Sequence, residues 1–321
     1  MANGRRLPFA TCWRGSDTKP IWRGGSALLK SVPIQFHDCF EMPEEQATLW
    51  RYSDLAKLVS LLQNKSLWFA NAEILARDDP FEAFLPLDNF SHRSWQHLSD
   101  IPTALLDQFI RLGYVDDRAS QADNLQRIQV ETDKILSGVL LERRNFFVSC
   151  WHRARHESVA MWKMYGAVNG GVAIKSSTAR IKKAFEAITF PMFIGNVRYI
   201  NGIEDKIETS INLFTPTTVK RSPFSYEKET RIVCWNQFPI KSTKGISFSS
   251  AALTETLFKH VDGSPIPEGI AVDCDVAALL EAIVISPFAP PWYVDVISKV
   301  AQSLGVAVEV YQSDLLDPPR E

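Results

Sequence analysis

The sequence predicts a single α+β domain whose core is a mixed or antiparallel sheet. Three observations support this fold class: short strand-like runs recur from Leu49 to Val310, amphipathic helical segments separate them, and strands and helices do not alternate regularly. A chain of 321 residues, 45% hydrophobic and 22% charged, is long enough to bury a large core. We divide it into an N-terminal arm over residues 1–48, the domain over 49–316 and a tail over 317–321.

The first predicted unit is a strand, a helix and a second strand. Residues 49–52 predict the first strand, Ser53 is suited to cap the helix, and apolar residues at helical spacing follow from Leu55 to Leu62. Residues 67–69 predict the second strand. Arg51 is therefore expected on a strand that leads directly into a helix.

The middle of the chain predicts a helical insertion, then a core strand and a short helix. The insertion covers about residues 101–144, with a break near Gly113. Residues 146–151 predict a buried strand, which contains Ser149. Residues 158–165 predict the helix, because their apolar side chains fall on one side and Gly166 is suited to end it.

The most informative strand is predicted over residues 226–235. Because side chains alternate between the two faces of a strand, Glu227, Glu229 and Arg231 are expected on one face. Two carboxylates and a guanidinium then stand in a row at the start of the strand. This row is the strongest candidate for a polar site.

Composition disfavours several kinds of site and partner. A formal net charge of -2 gives no general electrostatic grip on nucleic acid. The five cysteines include no Cys-x-x-Cys pair, and His152 and His156 have no evident third ligand, so no metal is expected. No apolar run is long enough for a signal peptide or a membrane span. We therefore expect a cytoplasmic location and no membrane partner.

Five short motifs follow one another along the chain: Arg51-Tyr52 before a helix, Asp78–Glu82, Ser149–Trp151, Met161–Tyr165 with Gly170-Gly171, and Tyr226–Arg231. Together they resemble the bacterial domain-of-unknown-function family 2971, over about residues 49–310. Asp78 stands where that family often has Asn, and the helical insertion is this chain's own elaboration. The family label carries no settled activity. Its proteins resemble effectors of phage-defence loci, which implies toxicity when the protein is unrestrained and an antitoxin or defence-system partner.

The order of these motifs is also similar to the layout of ADP-ribosyltransferases. Those enzymes carry a basic residue on an early strand, a serine on a middle strand and a glutamate on a late strand; Arg51, Ser149 and Glu229 occur in that order. The resemblance implies a similar sheet core, NAD as the substrate, an unidentified macromolecular acceptor and no metal. In this hypothesis Glu229 stabilises the positive charge that develops on the sugar, and Glu227 orients or deprotonates the acceptor.

Further side chains are expected to bind NAD on the same hypothesis. Arg51 suits the diphosphate or a ribose hydroxyl, and Ser149 suits the ribose or the nicotinamide amide. Trp162 or Tyr165 suits stacking on the nicotinamide ring. The hypothesis requires Arg51, Ser149 and Glu229 to line one cleft. The predicted cofactor-binding residues are Arg51, Tyr52, Ser149, Trp162, Tyr165 and Arg231.

Structural roles compete for the same residues. The charged strand face can be an exposed ladder with cross-strand partners. Arg51 can be a buried structural arginine paired with a glutamate, and the aromatic residues of 158–165 can belong to the core. Asp79 and Glu82 most simply form a turn, but they join a carboxylate cluster if they fold back towards Glu229.

Two other functions stay open at this stage. One is a metal-dependent nuclease or phosphohydrolase, because hard cations such as Mg²⁺ prefer carboxylate oxygens. The other is a non-catalytic module that binds a nucleotide or a partner protein. Chelator sensitivity distinguishes the first, and ligand-induced stabilisation without turnover distinguishes the second. The carboxylates that would hold the metal are Asp79, Glu82, Glu227 and Glu229.

Overall fold

The computed structural model describes residues 34–35, 37–83, 95–101, 103–166, 170–201, 214–235, 247–248 and 267–318. Residues 95–101 and 103–132 form one unit, and the other described residues form a second, larger one. No described helix combines the length and the low polarity that crossing a bilayer demands. The α+β class predicted from the sequence is confirmed, because helices accompany a mixed sheet.

The described strands are β1 Ile34–Gln35, β2 Thr48–Asp54, β3 Ser66–Asn71, β4 Phe146–Arg153, β5 Gly171–Ser177, β6 Met192–Asn196, β7 Arg198–Ile200, β8 Val219–Arg221, β9 Glu229–Trp235, β10 Ser247–Phe248, β11 Gly269–Asp273, β12 Ala282–Ile285 and β13 Glu309–Gln312. The main sheet runs in the order β1-β6-β9-β4-β2-β5-β12-β13. Strand β3 pairs with β4 and β11, and β10 pairs with β11. Strands β7 and β8 form a separate parallel pair.

The described α-helices are α1 Leu55–Asn64, α2 Ala72–Leu75, α3 Thr103–Arg111, α4 Gln121–Glu142, α5 Val159–Tyr165, α6 Thr178–Ala184, α7 Val276–Leu279 and α8 Tyr293–Ser303. Short 3-10 helices cover Leu98–Asp100, Arg143–Asn145, Thr215–Thr218 and Ser222–Glu227. Helices α3 and α4 occupy the stretch predicted as a helical insertion.

The smaller unit contains α3 and the first part of α4. Asn124 of α4 fastens the turn that precedes that helix: its Nδ2 donates to Asp116 O at 2.9 Å, and its Oδ1 accepts from Asp116 N at 2.9 Å. Both groups are thereby satisfied in a position where Asn124 is buried.

Two predicted boundaries are wrong by a few residues. Helix α1 is capped by Asp54, whose Oδ1 accepts from Lys57 N at 2.8 Å, while Ser53 still belongs to β2. The strand predicted from Tyr226 begins at Glu229, because Ser222–Glu227 form a 3-10 helix and Lys228 takes a left-handed conformation with φ 41°. Glu227 therefore lies in a turn, outside the strand.

The three strands that carry the predicted site lie side by side in the order β9-β4-β2. Side chains of directly opposed residues project to the same side of an antiparallel sheet. His152 opposes Glu229, and Trp50 opposes His152, so these three share one side, which we call the polar face. Ser149 opposes Ile232, and both lie on the other side, which we call the core face.

The core face packs against the largest apolar cluster. Trp151 of β4 and Ile232 of β9 contribute to it from the sheet, and Leu58, Ile181 and Ile297 contribute from α1, α6 and α8. The polar face carries two smaller apolar clusters. One surrounds Phe146, Phe193, Phe214 and Val233, and the other contains Trp50, Tyr52, Met161 and Trp162.

Candidate functional site

The polar face carries a buried cluster of charged side chains, which we call the glutamate cluster. Three carboxylates and two cations form it, and each side chain is at most 10% exposed. They come from the turn after α2, from β8, from the turn before β9 and from β9 itself. With three carboxylates and two cations, the formal net charge of the cluster is one negative charge. The members are Glu82, Lys220, Glu227, Glu229 and Arg231.

Arg231 organises the cluster. Its Nε lies 2.8 Å from Glu229 Oε1 and its Nη2 lies 3.0 Å from Glu229 Oε2, a two-pronged pair. Its Nη1 reaches Glu82 Oε1 at 2.7 Å and donates to Thr217 O at 3.0 Å. The neighbouring carboxylates outweigh burial and raise the pKa of Arg231 well above its usual value. The guanidinium therefore stays charged and fixes two glutamates at once.

Lys220 is the second cation of the cluster. Its Nζ lies 2.5 Å from Glu227 Oε2, 3.5 Å from Glu229 Oε2 and 3.7 Å from Glu82 Oε2. Burial lowers its pKa, but the charges of the three glutamates raise it more, so the ammonium stays protonated. One lysine thus contacts all three carboxylates of the cluster.

Glu229 is held ionised. Burial alone would raise its pKa, but the charges of Arg231 and Lys220 dominate and lower the pKa to about 2. Cys150 of β4, which lies opposite Arg231 of β9, also hydrogen-bonds to the Glu229 carboxylate. Burial and the Glu229 charge raise the pKa of the Cys150 thiol well above its usual value, so it stays protonated.

The carboxylate of Glu227 is covered by a half-exposed side chain, that of Tyr165. Tyr165 donates its OH to Glu227 Oε1 at 2.6 Å, and the Tyr165 side chain is 45% exposed. Burial and the hydrogen bond to Glu227 raise the pKa of Tyr165, so the phenol remains a donor at physiological pH. Tyr165 and Glu227, both of which the sequence named as site residues, are therefore in contact. The contact lies at the edge of the cluster, where the Tyr165 ring reaches solvent.

Tyr52 and Trp162 lie on the polar face but inside packed structure. Their rings contact edge to face, with centroids 4.9 Å apart, in an apolar cluster with Trp50 and Met161. Trp162 is fully buried and donates Nε1 to Glu157 Oε2 at 2.9 Å. The prediction that Trp162 stacks on a ligand ring is therefore wrong: it is a core residue, as its helical spacing also allowed.

Arg51 and Ser149 lie on the core face, and the predicted cleft shared with Glu229 is wrong. Strands β3 and β2 pair with β4 at different places: β3 pairs opposite Val148, and β2 pairs opposite His152. The two strands therefore diverge between Val148 and His152. Arg51 fills this fork: Nη1 donates to Ser149 Oγ, and Nη2 donates to Trp68 O at 3.1 Å. The arginine thus satisfies backbone and hydroxyl acceptors where the strands separate. Arg51 is therefore a structural arginine, but its partners are a hydroxyl and a backbone oxygen rather than the glutamates that were expected.

The predicted turn from Asp78 to Glu82 is present, and Asp79 and Glu82 have different partners. Asp79 Oδ1 accepts from Phe81 N at 3.1 Å and from Arg221 Nη2 at 2.6 Å. The Arg221 guanidinium in turn lies over the Phe81 ring at 4.6 Å. Glu82 folds back into the glutamate cluster, the alternative that the sequence left open.

Sequence reasoning missed Lys220 and gave His152 no role. Lys220 sits in an ordinary strand-like stretch, and its glutamate partners lie seven and nine residues later and in a distant turn, so no local pattern marks it. His152 lies on β4, directly opposite Glu229 of β9. In the part of the chain that the structure describes, no group of three histidine, cysteine or acidic residues is arranged to hold a metal. The cations that contact the cluster carboxylates are instead Lys220 and Arg231.

A protein-family comparison matches part of the chain. The family described as "Protein of unknown function (DUF2971)" matches residues 161–232, from α5 to β9. This stretch contains Tyr165 and every member of the glutamate cluster except Glu82, and it is shorter than the range over which the motifs occur. No curated protein and no solved structure matches the chain. The predicted resemblance is therefore confirmed: over residues 161–232 this chain is similar to DUF2971, a family of proteins of unknown function.

Proposed function

We propose that the protein is an NAD-dependent ADP-ribosyltransferase-like enzyme whose site is built on the polar face around Glu227. The observation that carries the proposal is the fixed carboxylate pair, Glu227 and Glu229, beside the half-exposed ring of Tyr165. The form of the hypothesis that requires Arg51 and Ser149 in one cleft with Glu229 fails, because both lie on the core face. The proposal therefore depends on the carboxylate pair and Tyr165 alone.

Cleavage of the bond between ribose and nicotinamide builds positive charge on the sugar. A carboxylate that is already oriented stabilises that charge without reorganising during the reaction. Glu229 has both oxygens engaged by Arg231, whereas Glu227 Oε1 is covered only by the Tyr165 hydroxyl. We therefore assign the sugar-facing role to Glu227 and a positioning role to Glu229, the reverse of the order that the sequence suggested.

Tyr165 supplies the second feature that a nicotinamide nucleotide needs. Its ring offers an apolar surface that solvent reaches, and its hydroxyl donates to the carboxylate that acts on the sugar. When a ligand hydroxyl replaces the tyrosine as donor to Glu227, the ring is free to turn and cover the nicotinamide. The surplus negative charge of the cluster favours a sugar that becomes cationic over a phosphate at the same place.

The proposal is tested by nicotinamide release. The purified protein is incubated with NAD, with and without cell extract, and free nicotinamide and labelled macromolecules are measured. Glu227→Gln keeps the size of the side chain and removes its charge, so we expect release to fall by about a hundredfold or more. Glu281→Gln is the matched control, because Glu281 pairs with Lys175 at the surface of the same unit. A wild type that neither releases nicotinamide nor labels an acceptor contradicts the proposal.

A second candidate is a nucleotide-binding module without catalysis. It is favoured by one observation: Lys220 and Arg231 already engage all three carboxylates of the cluster, which suits a rigid structural support. In that case NAD or a related nucleotide raises the melting temperature of the wild type, and no nicotinamide appears. The two assays together separate the candidates.

The proposed acceptor is a macromolecule of the host or the invading phage, and the proposed context is an effector restrained by an antitoxin or defence-system partner. This extends the implication of the family resemblance and leads to a growth test. Expression of the wild type is expected to slow a host cell, while expression of Glu227→Gln at the same level leaves growth unchanged. Equal growth of the two strains contradicts an effector role.

A further inference from the structure

His152 is held in one hydrogen-bonding arrangement. Its Nδ1 lies 2.5 Å from the backbone oxygen of Glu227. A carbonyl oxygen can only accept, so Nδ1 must carry the hydrogen and donate it. When the ring is neutral, the lone pair is then on Nε2, which has no hydrogen-bond partner among the described residues. The same backbone that positions the Glu227 carboxylate therefore fixes the orientation of this histidine.

The surroundings of His152 favour the neutral ring. Burial lowers its pKa below the usual 6.5, the hydrogen bond to Glu227 O opposes this, and the positive charge of Lys228 lowers it further. Glu229 faces it from β9 and the Tyr52 ring lies 6.1 Å away on β2. Burial is the largest of these effects, so the imidazole is an uncharged base near neutral pH.

We infer that His152 is the general base of the proposed transfer and that the acceptor group is a hydroxyl, whose proton is taken by Nε2. This inference rests on the proposed function. It is carried by position, because His152 directly opposes Glu229 and is bonded to the residue whose carboxylate faces the sugar. A hydroxyl keeps its proton at neutral pH and gains from a base, whereas a carboxylate acceptor has no proton to lose.

The step balances with the groups named. The acceptor oxygen forms a bond to the anomeric carbon of the ribose as the bond from that carbon to the nicotinamide nitrogen breaks. Nicotinamide leaves as a neutral molecule with the electron pair of the broken bond. The hydroxyl proton passes to His152 Nε2, and the imidazolium then returns it to solvent. Water is the simplest hydroxyl acceptor, so hydrolysis of NAD alone is a sufficient probe.

The protonation state is tested on the full wild-type chain by nitrogen-15 spectroscopy of the histidine rings. At pH 7 we expect His152 to show a protonated Nδ1 and an unprotonated Nε2, with a titration midpoint below 6.5. A hydrogen on Nε2 at pH 7 overturns the inference whatever the activity. This measurement needs no variant and so does not depend on the folding of one.

The catalytic role is tested by paired substitutions. His152→Asn keeps an N–H donor near the position of Nδ1 and lacks Nε2, so we expect nicotinamide release to fall by about a hundredfold and its acid limb to disappear, with the melting temperature nearly unchanged. His156→Asn changes an exposed histidine of the same segment and is the control. Full activity with an unchanged pH profile in His152→Asn overturns the inference alone. An inactive wild type overturns the proposed function and the base role together.

Discussion

Arg231 and Glu229, two residues apart on β9, are joined by two parallel bonds of 2.8 and 3.0 Å on one face of the sheet. The pair is buried, and Arg231 also reaches Glu82 and Thr217. A two-pronged guanidinium bond fixes both the position and the plane of the carboxylate. The rest of the glutamate cluster is arranged around this pair, so its loss is expected to affect stability as well as activity.

Removal of Arg231 is predicted to destabilise the fold strongly. Arg231→Met leaves Glu82 and Glu229 buried with only Lys220 as a cation partner, and we expect a loss of about 3–5 kcal/mol in the free energy of unfolding. Denaturant unfolding of both proteins measures the difference. The control is Arg144→Ala, which breaks a half-exposed pair with Glu73 at 3.2 Å and should cost about 1 kcal/mol or less. Equal effects of the two substitutions contradict the central role of Arg231.

Acid is predicted to weaken the fold through Glu229. Its pKa is lowered from 4.5 in the unfolded chain to about 2 in the fold. A lowered carboxyl pKa adds stability that is complete above pH 4.5 and is lost as the pH falls towards 2. The gap corresponds to about 3 kcal/mol.

The pH dependence is checked by unfolding the wild type and Glu229→Gln at several values between pH 7 and pH 2. The variant lacks the titrating group, so its stability should be lower at pH 7 and should vary less between pH 4.5 and 2. Parallel curves for the two proteins would show that Glu229 is not the source of the acid sensitivity.

The sequence predicted the strands of the site better than their faces. Alternation along β9 correctly placed Glu229 and Arg231 together, because it depends only on residues within one strand. Which face of β4 and β2 matches that of β9 depends on the pairing register, and a change of one residue reverses every side chain. Register is set by long-range pairing, so no local pattern could show that Ser149 and Arg51 lie on the other face of the sheet from Glu229.

Arg51 is predicted to matter for stability and not for NAD turnover. Arg51→Lys keeps the charge but cannot donate in the same forked geometry to Ser149 Oγ and Trp68 O. We expect a loss of about 1–3 kcal/mol in the free energy of unfolding, with unchanged nicotinamide release per folded molecule. Thermal unfolding and the release assay on the same preparation check both. A large fall in nicotinamide release without loss of stability would contradict this prediction and indicate that Arg51 takes part in the NAD site.

The cluster itself was only partly predictable. Asp79 and Glu82 were both recognised as possible members, but the sequence could not show that Glu82 lies 2.7 Å from Arg231 while Asp79 pairs with Arg221. Lys220 precedes Glu227 by seven residues, and the 3-10 helix between them brings Nζ within 2.5 Å of that carboxylate. A 3-10 helix has no alternation of polar and apolar residues that would reveal it in the sequence. The predicted strand was therefore wrongly extended back to Tyr226.

Tyr165 is predicted to compete with the ligand for Glu227. Tyr165→Phe keeps the ring and removes the 2.6 Å hydrogen bond to the carboxylate. A hydrogen bond to a charged group contributes about 1.5–3 kcal/mol, and in the proposed site the ligand must displace it, so we expect the KM for NAD to fall by about tenfold or more, with kcat nearly unchanged. The melting temperature of the ligand-free protein should fall, because Glu227 Oε1 loses this donor. Tyr226→Phe, at another exposed tyrosine beside Glu227, is the control and should leave release unaltered.

The most direct test of the proposed site is a crystal structure of the protein with a slowly hydrolysed NAD analogue. We predict that the nicotinamide ribose lies within hydrogen-bonding distance of Glu227, on the polar face, with Tyr165 displaced from the carboxylate and against the nicotinamide ring. An analogue bound on the core face at Arg51 and Ser149, or bound elsewhere with the bond between Tyr165 and Glu227 intact, would contradict the account.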